Sequence, residues 1–238
     1  MISFKKSASS EYIEGFHRIF GDDYEYIKKI ICLSQDVFEI YEDDSFCGGL
    51  CTLEFNVKND YTIKSGVYIY GAFICENARG RGLFSKLISH VCEYYSSNFY
   101  DFVFTVPANA SLFSLYEHLG FKDNLYGVVS LTDEKSEIIL PQDTVFSDFD
   151  GNYNDLYFIH IQNDALLKTY DVFKQSVCDF DIKYLDCNGK RGYALYNDGS
   201  LIFASGEFVR NKCVKKGLLM KLVEFDTPSF LCDIIFEI

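Results

Sequence analysis

The chain has 238 residues, 48% hydrophobic and 24% charged, with a formal net charge of −13 at pH 7. This balance supports a packed core and excludes global disorder, and the length allows one large domain or two small ones. The acidity argues against nucleic acid and against an anionic membrane surface as partners; it fits either attraction of a cationic amine or simple solubility.

Nine cysteines are scattered without a disulfide framework, and the opening MISFKKSASSEYIEGF lacks the apolar run of a signal peptide. A cytoplasmic, reducing compartment is expected. Cys47-Gly48-Gly49-Leu50-Cys51 has no second pair at zinc spacing, and the histidines at 17, 90, 118 and 160 show no paired pattern, so no metal is expected.

Residues 8–33 predict two helices. The first is capped by Ser9 or Ser10, carries Tyr12, Ile13, Phe16, Ile19 and Phe20 on one face, and breaks at Gly21-Asp22-Asp23; the second runs from Tyr24 to Leu33. Val37 to Tyr41 and Phe46 to Val57 predict a hairpin, and Lys58-Asn59-Asp60 a further turn. Val67 to Ile74 is almost continuously apolar, as in a buried strand. Leu83, Phe84, Leu87, Ile88, Val91 and Cys92 follow at helical spacing, to a stop near Ser96-Ser97-Asn98. Phe99 to Val106 predicts a strand stopped by Pro107. Asn109 or Ser111 caps a helix bearing Leu112, Phe113, Tyr116 and Leu119, with Gly120 as its stop, and Leu125 to Leu131 predicts another strand.

The acidic stretch from Thr132 to Tyr153 reads as a boundary between a domain over 1–135 and an α/β region over 150–238. Beyond it the pattern predicts a strand over Leu156–Ile161, a helix over Asp164–Val177, and strands near Ile182–Leu185, Gly192–Tyr196 and Leu201–Phe208, the last two joined at Asn197-Asp198-Gly199. A short helix over Lys215–Val223 and a final strand over Phe230–Ile238 complete it. The fold class is α/β with a mixed sheet.

The chemistry concentrates at Arg79-Gly80-Arg81-Gly82, between the apolar strand and its helix. A helix N-terminus offers unpaired N–H groups and partial positive charge, glycines allow close approach, and arginines fork onto phosphate oxygens. A phosphate cradle and a Gly-rich turn with solvated arginines are both open. The P-loop pattern GxxxxGK[ST] is absent, as is GxGxxG directly after a strand, which argues against those nucleotide sites. Residues 51–100 carry five basic and four acidic side chains against two and nine over 101–150, so the turn lies in the better field for an anion.

The stretch resembles the acetyl-CoA signature R/Q-x-x-G-x-G/A of the GNAT superfamily of acyl-CoA N-acyltransferases, with Arg79, Gly82 and Phe84 at its three defined positions; Phe84 departs from the usual Gly or Ala. Asn109 and the ending Tyr116-Glu117-His118-Leu119-Gly120-Phe121 resemble the family's N…YxxLGF block. HRIFGDDYEYIKKI resembles the opening of bacterial GNAT proteins with an added C-terminal region. The resemblance covers 1–135; residues 154–238 resemble an incomplete second GNAT unit and lack both motifs.

It implies the GNAT fold and transfer of an acetyl group from acetyl-CoA, the co-substrate, to a primary amine of a small molecule or peptide. By resemblance, Arg79 heads a loop whose backbone N–H groups at Gly80, Arg81, Gly82, Leu83, Phe84 and Ser85 hold the pyrophosphate. Ala72, Phe73 and Ile74 pair with the pantetheine arm, Asn109 bonds the same arm, and Tyr116 protonates the leaving thiolate. The first two helices flank the acceptor entrance. For Tyr116 a plain core role stays open, as does a capping role for Asn109. The family's glutamate base positions correspond here to Tyr68 and Phe104, leaving Glu54, an ordered water or the Ile238 carboxylate. The C-terminal half reads as a homodimer surface or a lid. A CoA-binding sensor or a protein-interaction scaffold is the alternative to an enzyme.

Overall fold

The computed structural model describes residues 1–58, 62–128, 140–163, 166–205 and 213–223. A first compact unit takes in Met1–Phe55, Lys64–Asp123 and the strand end from Leu218; a second takes in Asn56–Ile63 and Asn124–Gly217.

The first unit runs β1 (Ile2–Lys6), α1 (Ser10–Phe20), α2 (Tyr24–Leu33), β2 (Asp36–Glu42), β3 (Ser45–Lys58), β4 (Ile63–Ile74), a 3-10 turn (Glu76–Ala78), α3 (Leu83–Ser97), β5 (Phe102–Thr105) and α4 (Ala110–His118). The second holds β6 (Asp123–Val128), β7 (Val145–Asp148), α5 (Tyr153–Asn163), β8 (Leu166–Lys168), α6 (Tyr170–Val177), β9 (Asp181–Cys187), β10 (Lys190–Asn197) and β11 (Ser200–Ala204). In β12 (Cys213–Lys221) the last four residues, Leu218 to Lys221, return to the first unit and pair antiparallel with β5.

The sheet of the first unit has the order β1-β2-β3-β4-β5-β12. It is mixed: β1, β2 and β3 are antiparallel neighbours, whereas β4 and β5 are parallel. α1 covers one face, with Tyr12 against Gly49 and Phe16 against Gly71. α3 covers the other, where Tyr94 and Tyr95 stand edge-on to Phe38 and the Tyr95 hydroxyl meets Thr52 Oγ1 at 2.5 Å.

Local signals set the helix ends. Ser9 caps α1 by accepting from Tyr12 N–H at 3.2 Å, and Gly21, at φ +82°, ends it. Asp23 caps α2 by accepting from Tyr26 N–H at 2.8 Å. Of the three break residues, Asp22 alone has no helix-ending task. The carboxylate of Glu39, fully buried on β2, accepts from Ser9 N–H at 2.6 Å, Ser7 Oγ at 3.0 Å and the Tyr41 hydroxyl at 2.8 Å, tying the start of α1 to the sheet.

The second unit contains an antiparallel sheet of order β11-β10-β9-β7. Its two-residue turns, Asn188-Gly189 (φ +55° and +77°) and Asp198-Gly199 (φ +47° and +75°), have the left-handed backbone that hairpins favour. Leu156 and Ile159 of α5 and Phe173 and Val177 of α6 pack on Tyr184, Tyr193, Leu195 and Phe203 of the sheet.

Four expectations are corrected. β1 was not foreseen: it is a five-residue edge strand ending in two lysines, too short for its alternation to register. The run predicted as a strand over Leu156–Ile161 lies within helix α5, because the residues buried there, Leu156, Ile159 and His160, recur at helical spacing while Phe158 is 54% exposed. The helix predicted over Asp164–Val177 is shorter: β8 precedes it and Thr169, extended at ψ 159°, starts α6. Lys215–Val223 is strand rather than helix, since Leu218 and Leu219 are consecutive and both fully buried, which a strand covered on two faces allows. The predicted strand over Phe230–Ile238 lies outside the described residues, as do residues 129–131 and the turn at Asn59-Asp60.

Candidate active site

The site begins where two parallel strands part. β4 and β5 are paired from Gly66/Phe102 to Ile69/Thr105. β5 then ends, while β4 continues to Ile74. Gly71, at φ +57°, bends β4 just past the last pair; a Cβ there would meet the Phe16 ring at 2.1 Å, so only glycine fits. The gap is a cleft of about 200 Å³. Tyr68, Tyr70 and Ala72 line it from β4, Thr105 and Pro107 from the end of β5, and Phe84, Leu112 and Tyr116 from α3 and α4. Phe73 is not among the cleft's lining residues, its ring packing near Tyr12 and Phe20, and Ile74 is buried; what these two residues offer a ligand is main chain.

At the end of β4 the chain makes its 3-10 turn and reaches the Arg/Gly loop. Gly80 and Gly82 have φ +76° and +71°, and a Cβ on either would meet nothing within 4 Å. Glycine is needed there for conformation, and the space above is open. Gly82 is the N-cap of α3, whose first turn contains no acidic residue. The first N–H groups of such a helix have no intrahelical acceptor and carry the positive end of its dipole. Arg79 Nε donates to the Ile74 carbonyl at 3.1 Å, fixing the loop to the end of β4. Arg81 pairs with Glu42 at 2.5 Å, an exposed contact of small worth. A larger cleft of about 670 Å³ runs beside the loop, with Arg18, Arg79, Cys75 and Glu14 in its wall.

Tyr116, 3% exposed, lies in the wall of the smaller cleft. Burial pushes its phenol up to about 12, opposed by a hydrogen bond with Thr105. Such a phenol keeps its proton at neutral pH. Phe84 and Phe121 stand edge-on to it, with ring centres at 5.6 and 5.2 Å. The Phe84 side chain, where the signature usually has Gly or Ala, therefore turns into the cleft against Tyr116. Asn109 is the N-cap of α4, its Oδ1 accepting from Leu112 N–H at 3.1 Å and from Ser111 Oγ at 2.6 Å.

Tyr68 and Phe104, the sequence counterparts of a glutamate base, are aromatic and stack at 4.9 Å and 14°. Glu54 does not line the cleft; its charge is felt at Tyr100 instead. Among the described residues lining the cleft, Asp22 carries the one carboxylate. Sequence reasoning passed over it because Gly21-Asp22-Asp23 was explained whole as a helix break. The available signal was that one stop and one cap account for only two of the three residues. Among the described residues, no group of three His, Cys, Asp or Glu side chains could hold a metal ion, and no helix is long and apolar enough to cross a membrane.

The family model for the acetyltransferase (GNAT) family matches residues 4–121. Comparison with curated proteins gives no significant sequence match. Among solved structures, the chain is similar to a conserved protein of unknown function from Enterococcus faecalis V583, with TM-score 0.70, 9% identity, and coverage of 93% of this chain and 73% of that one. It is also similar to a GCN5-related N-acetyltransferase from Anabaena variabilis ATCC 29413, with TM-score 0.68, 12% identity, and coverage of 94% and 73%. A GCN5-related N-acetyltransferase from Kribbella flavida has TM-score 0.62, 11% identity, and coverage of 92% and 71%. At these identities the likeness is one of fold, and its coverage takes in the second unit.

Proposed function

Since the chain belongs to the acetyltransferase (GNAT) family through residues 4–121, we propose that it is an N-acetyltransferase that moves the acetyl group of acetyl-CoA to a primary amine. The observation that carries this is the parting of β4 and β5 beyond Ile69/Thr105, with Tyr116 buried in the wall of the gap and the glycine loop before α3 following the end of β4.

Each part has a chemical task. The N–H groups of Gly80 to Ser85 bind the pyrophosphate at the positive end of α3, and Arg79 adds a fixed charge. Main-chain groups of Ala72, Phe73 and Ile74 take the pantetheine arm as an added strand would be taken, and Asn109 reaches it from the start of α4. A backbone N–H at this strand end polarises the thioester carbonyl, a donor of a kind worth about 2.7–4 kcal/mol in the transition state. As the amine attacks, the C–S bond breaks and Tyr116 gives its hydrogen bond, then its proton, to the sulfur. Catalysis is assigned to residues 1–135. A cytoplasmic setting suits a chain in which Cys32, Cys47, Cys51, Cys75, Cys92 and Cys187 form no disulfide.

Calorimetric titration with acetyl-CoA tests the cofactor site. Wild-type protein is expected to bind saturably, and Gly82→Asp to lose at least about 100-fold in affinity, because it puts a side chain at φ +71° and a carboxylate beside the pyrophosphate. Absence of saturable binding to folded wild type sinks the proposal.

A further inference from the structure

We propose that Asp22 receives the acceptor amine in the cleft, pairing with its ammonium on arrival and accepting its proton, directly or through one water, and that the acceptor is accordingly a monoamine on a flat apolar body. This rests on the N-acetyltransferase reading.

The geometry begins with the turn between α1 and α2. Gly21 ends one helix and Asp23 caps the next, which turns Asp22 toward the cleft that also contains Tyr116. Asp22 is half-buried there, and among the described residues its carboxylate takes no hydrogen bond. The backbone is held instead: the Asp22 carbonyl accepts from His17 Nδ1 at 2.6 Å, and His17 stacks on Tyr24 at 4.4 Å. A carboxylate fixed by its main chain and left open at its oxygens is placed for a ligand.

The surroundings define that ligand. Phe16, Phe20 and Tyr70 line the same cleft, and the Tyr70 hydroxyl meets that of Tyr26 at 2.9 Å. Aromatic faces favour a flat apolar body and, by their quadrupoles, a cation held near them. A single carboxylate neutralises one ammonium, and a second positive charge would be desolvated without a partner. A volume of about 200 Å³ suits a small amine rather than a peptide chain.

The groups acting on Asp22 are Asp23 beside it, His17 on α1 and Tyr70 on β4. Burial, then Asp23, raises the Asp22 carboxyl above its ordinary value, while His17 opposes them. A carboxyl raised in this way is a better base than a free one. The proton balance closes in two stages. The ammonium paired with Asp22 first loses one proton to solvent water. The neutral nitrogen then bonds to the acetyl carbon and gives its second proton to Asp22, the C–S bond breaks, the sulfur takes the Tyr116 proton, and Asp22 returns a proton to Tyr116 through water.

The test compares wild type, Asp22→Asn and Asp22→Glu with acetyl-CoA and phenethylamine or spermidine. Expected for wild type is acetylation of phenethylamine with higher kcat/KM than of spermidine, falling on the acid side as Asp22 takes a proton. Asp22→Asn is expected to lose about 100-fold in kcat/KM and to lose that acid limb, and Asp22→Glu to recover part of both. Acetyl-CoA affinity should stay unchanged in Asp22→Asn and the melting temperature should not fall, since neutralising a carboxylate whose charge the fold disfavours removes no stabilising contact. Failure of wild type to bind acetyl-CoA overturns the function itself and this inference with it. If wild type binds acetyl-CoA, the inference alone is overturned by any of three results: no acetylation of phenethylamine, preference for spermidine, or an Asp22→Asn variant that keeps its rate and acid limb.

Discussion

Replacing Tyr116 with phenylalanine is expected to lower kcat for acetyl transfer by about 100-fold or more, the usual contribution of a placed general acid. The phenyl ring keeps its edge-on contacts with Phe84 and Phe121, so the cleft keeps its shape. Only the hydroxyl and its bond with Thr105 are lost, at a stability cost of about 1 kcal/mol. Acetyl-CoA affinity should change by less than about twofold, since the pyrophosphate and pantetheine contacts lie elsewhere. Steady-state kinetics of both proteins, with calorimetric affinities beside them, make the check. An unchanged kcat means Tyr116 is a core tyrosine and the sulfur leaves without it. With its phenol near 12, Tyr116 also predicts no alkaline loss of rate from its own ionisation below about pH 10.

The second large effect concerns the frame rather than the chemistry. Glu39→Ala is expected to destabilise the first unit by about 3–5 kcal/mol, because it strands the Ser9 N–H, the Ser7 hydroxyl and the Tyr41 hydroxyl around a site with no exposure. For a chain of this length the melting temperature should fall by roughly 10 °C. Glu39→Gln keeps one acceptor oxygen and should lie between. Urea unfolding gives the difference directly, and a loss below about 1 kcal/mol for Glu39→Ala contradicts the assigned role. The effect reaches the site because Ser9 caps α1, and α1 carries Phe16 and Phe20 to the cleft and leads into Asp22.

How far the sequence was legible follows from which signals are local. The strand–Arg/Gly–helix stretch could be read because each part has its own mark: an unbroken apolar run, glycines where φ is positive, and a helical stripe after them. The caps Ser9 and Asn109 were readable for the same reason, and Gly120 at φ +100° is a helix stop made by one residue. In the second unit the hairpin turns at Asn188-Gly189 and Asp198-Gly199 both carry such a mark, and the second was the one read. Leu156–Ile161 misled because an apolar run of six residues has no decisive period, and packing of Leu156 and Ile159 against Phe173 and Tyr193 decides it. Leu218 and Leu219 are strand through pairing with β5, a partner more than a hundred residues away in sequence that no local pattern reports. In the candidate site, the loop and Tyr116 could be read from motif and resemblance. The parting of β4 from β5 could not, since it depends on β5 ending at Thr105 while β4 continues. Asp22 left only the faint mark of a third break residue beside one stop and one cap; its reach to the cleft depends on α1 lying across the sheet with Phe16 on Gly71. Phe84 read as a departure from the signature; its ring shares the cleft with Tyr116.

The central claim is acetyl transfer to an amine, and the most direct measurement is release of free CoA thiol from acetyl-CoA by the full chain as amine is added, with the acetylated amine identified by mass. Release that saturates with amine, matches the product mole for mole and falls with Tyr116→Phe is the predicted result. Tight acetyl-CoA binding without amine-dependent thiol release, across monoamines, polyamines and amino acids, would contradict it and leave a CoA-binding protein that is not a transferase.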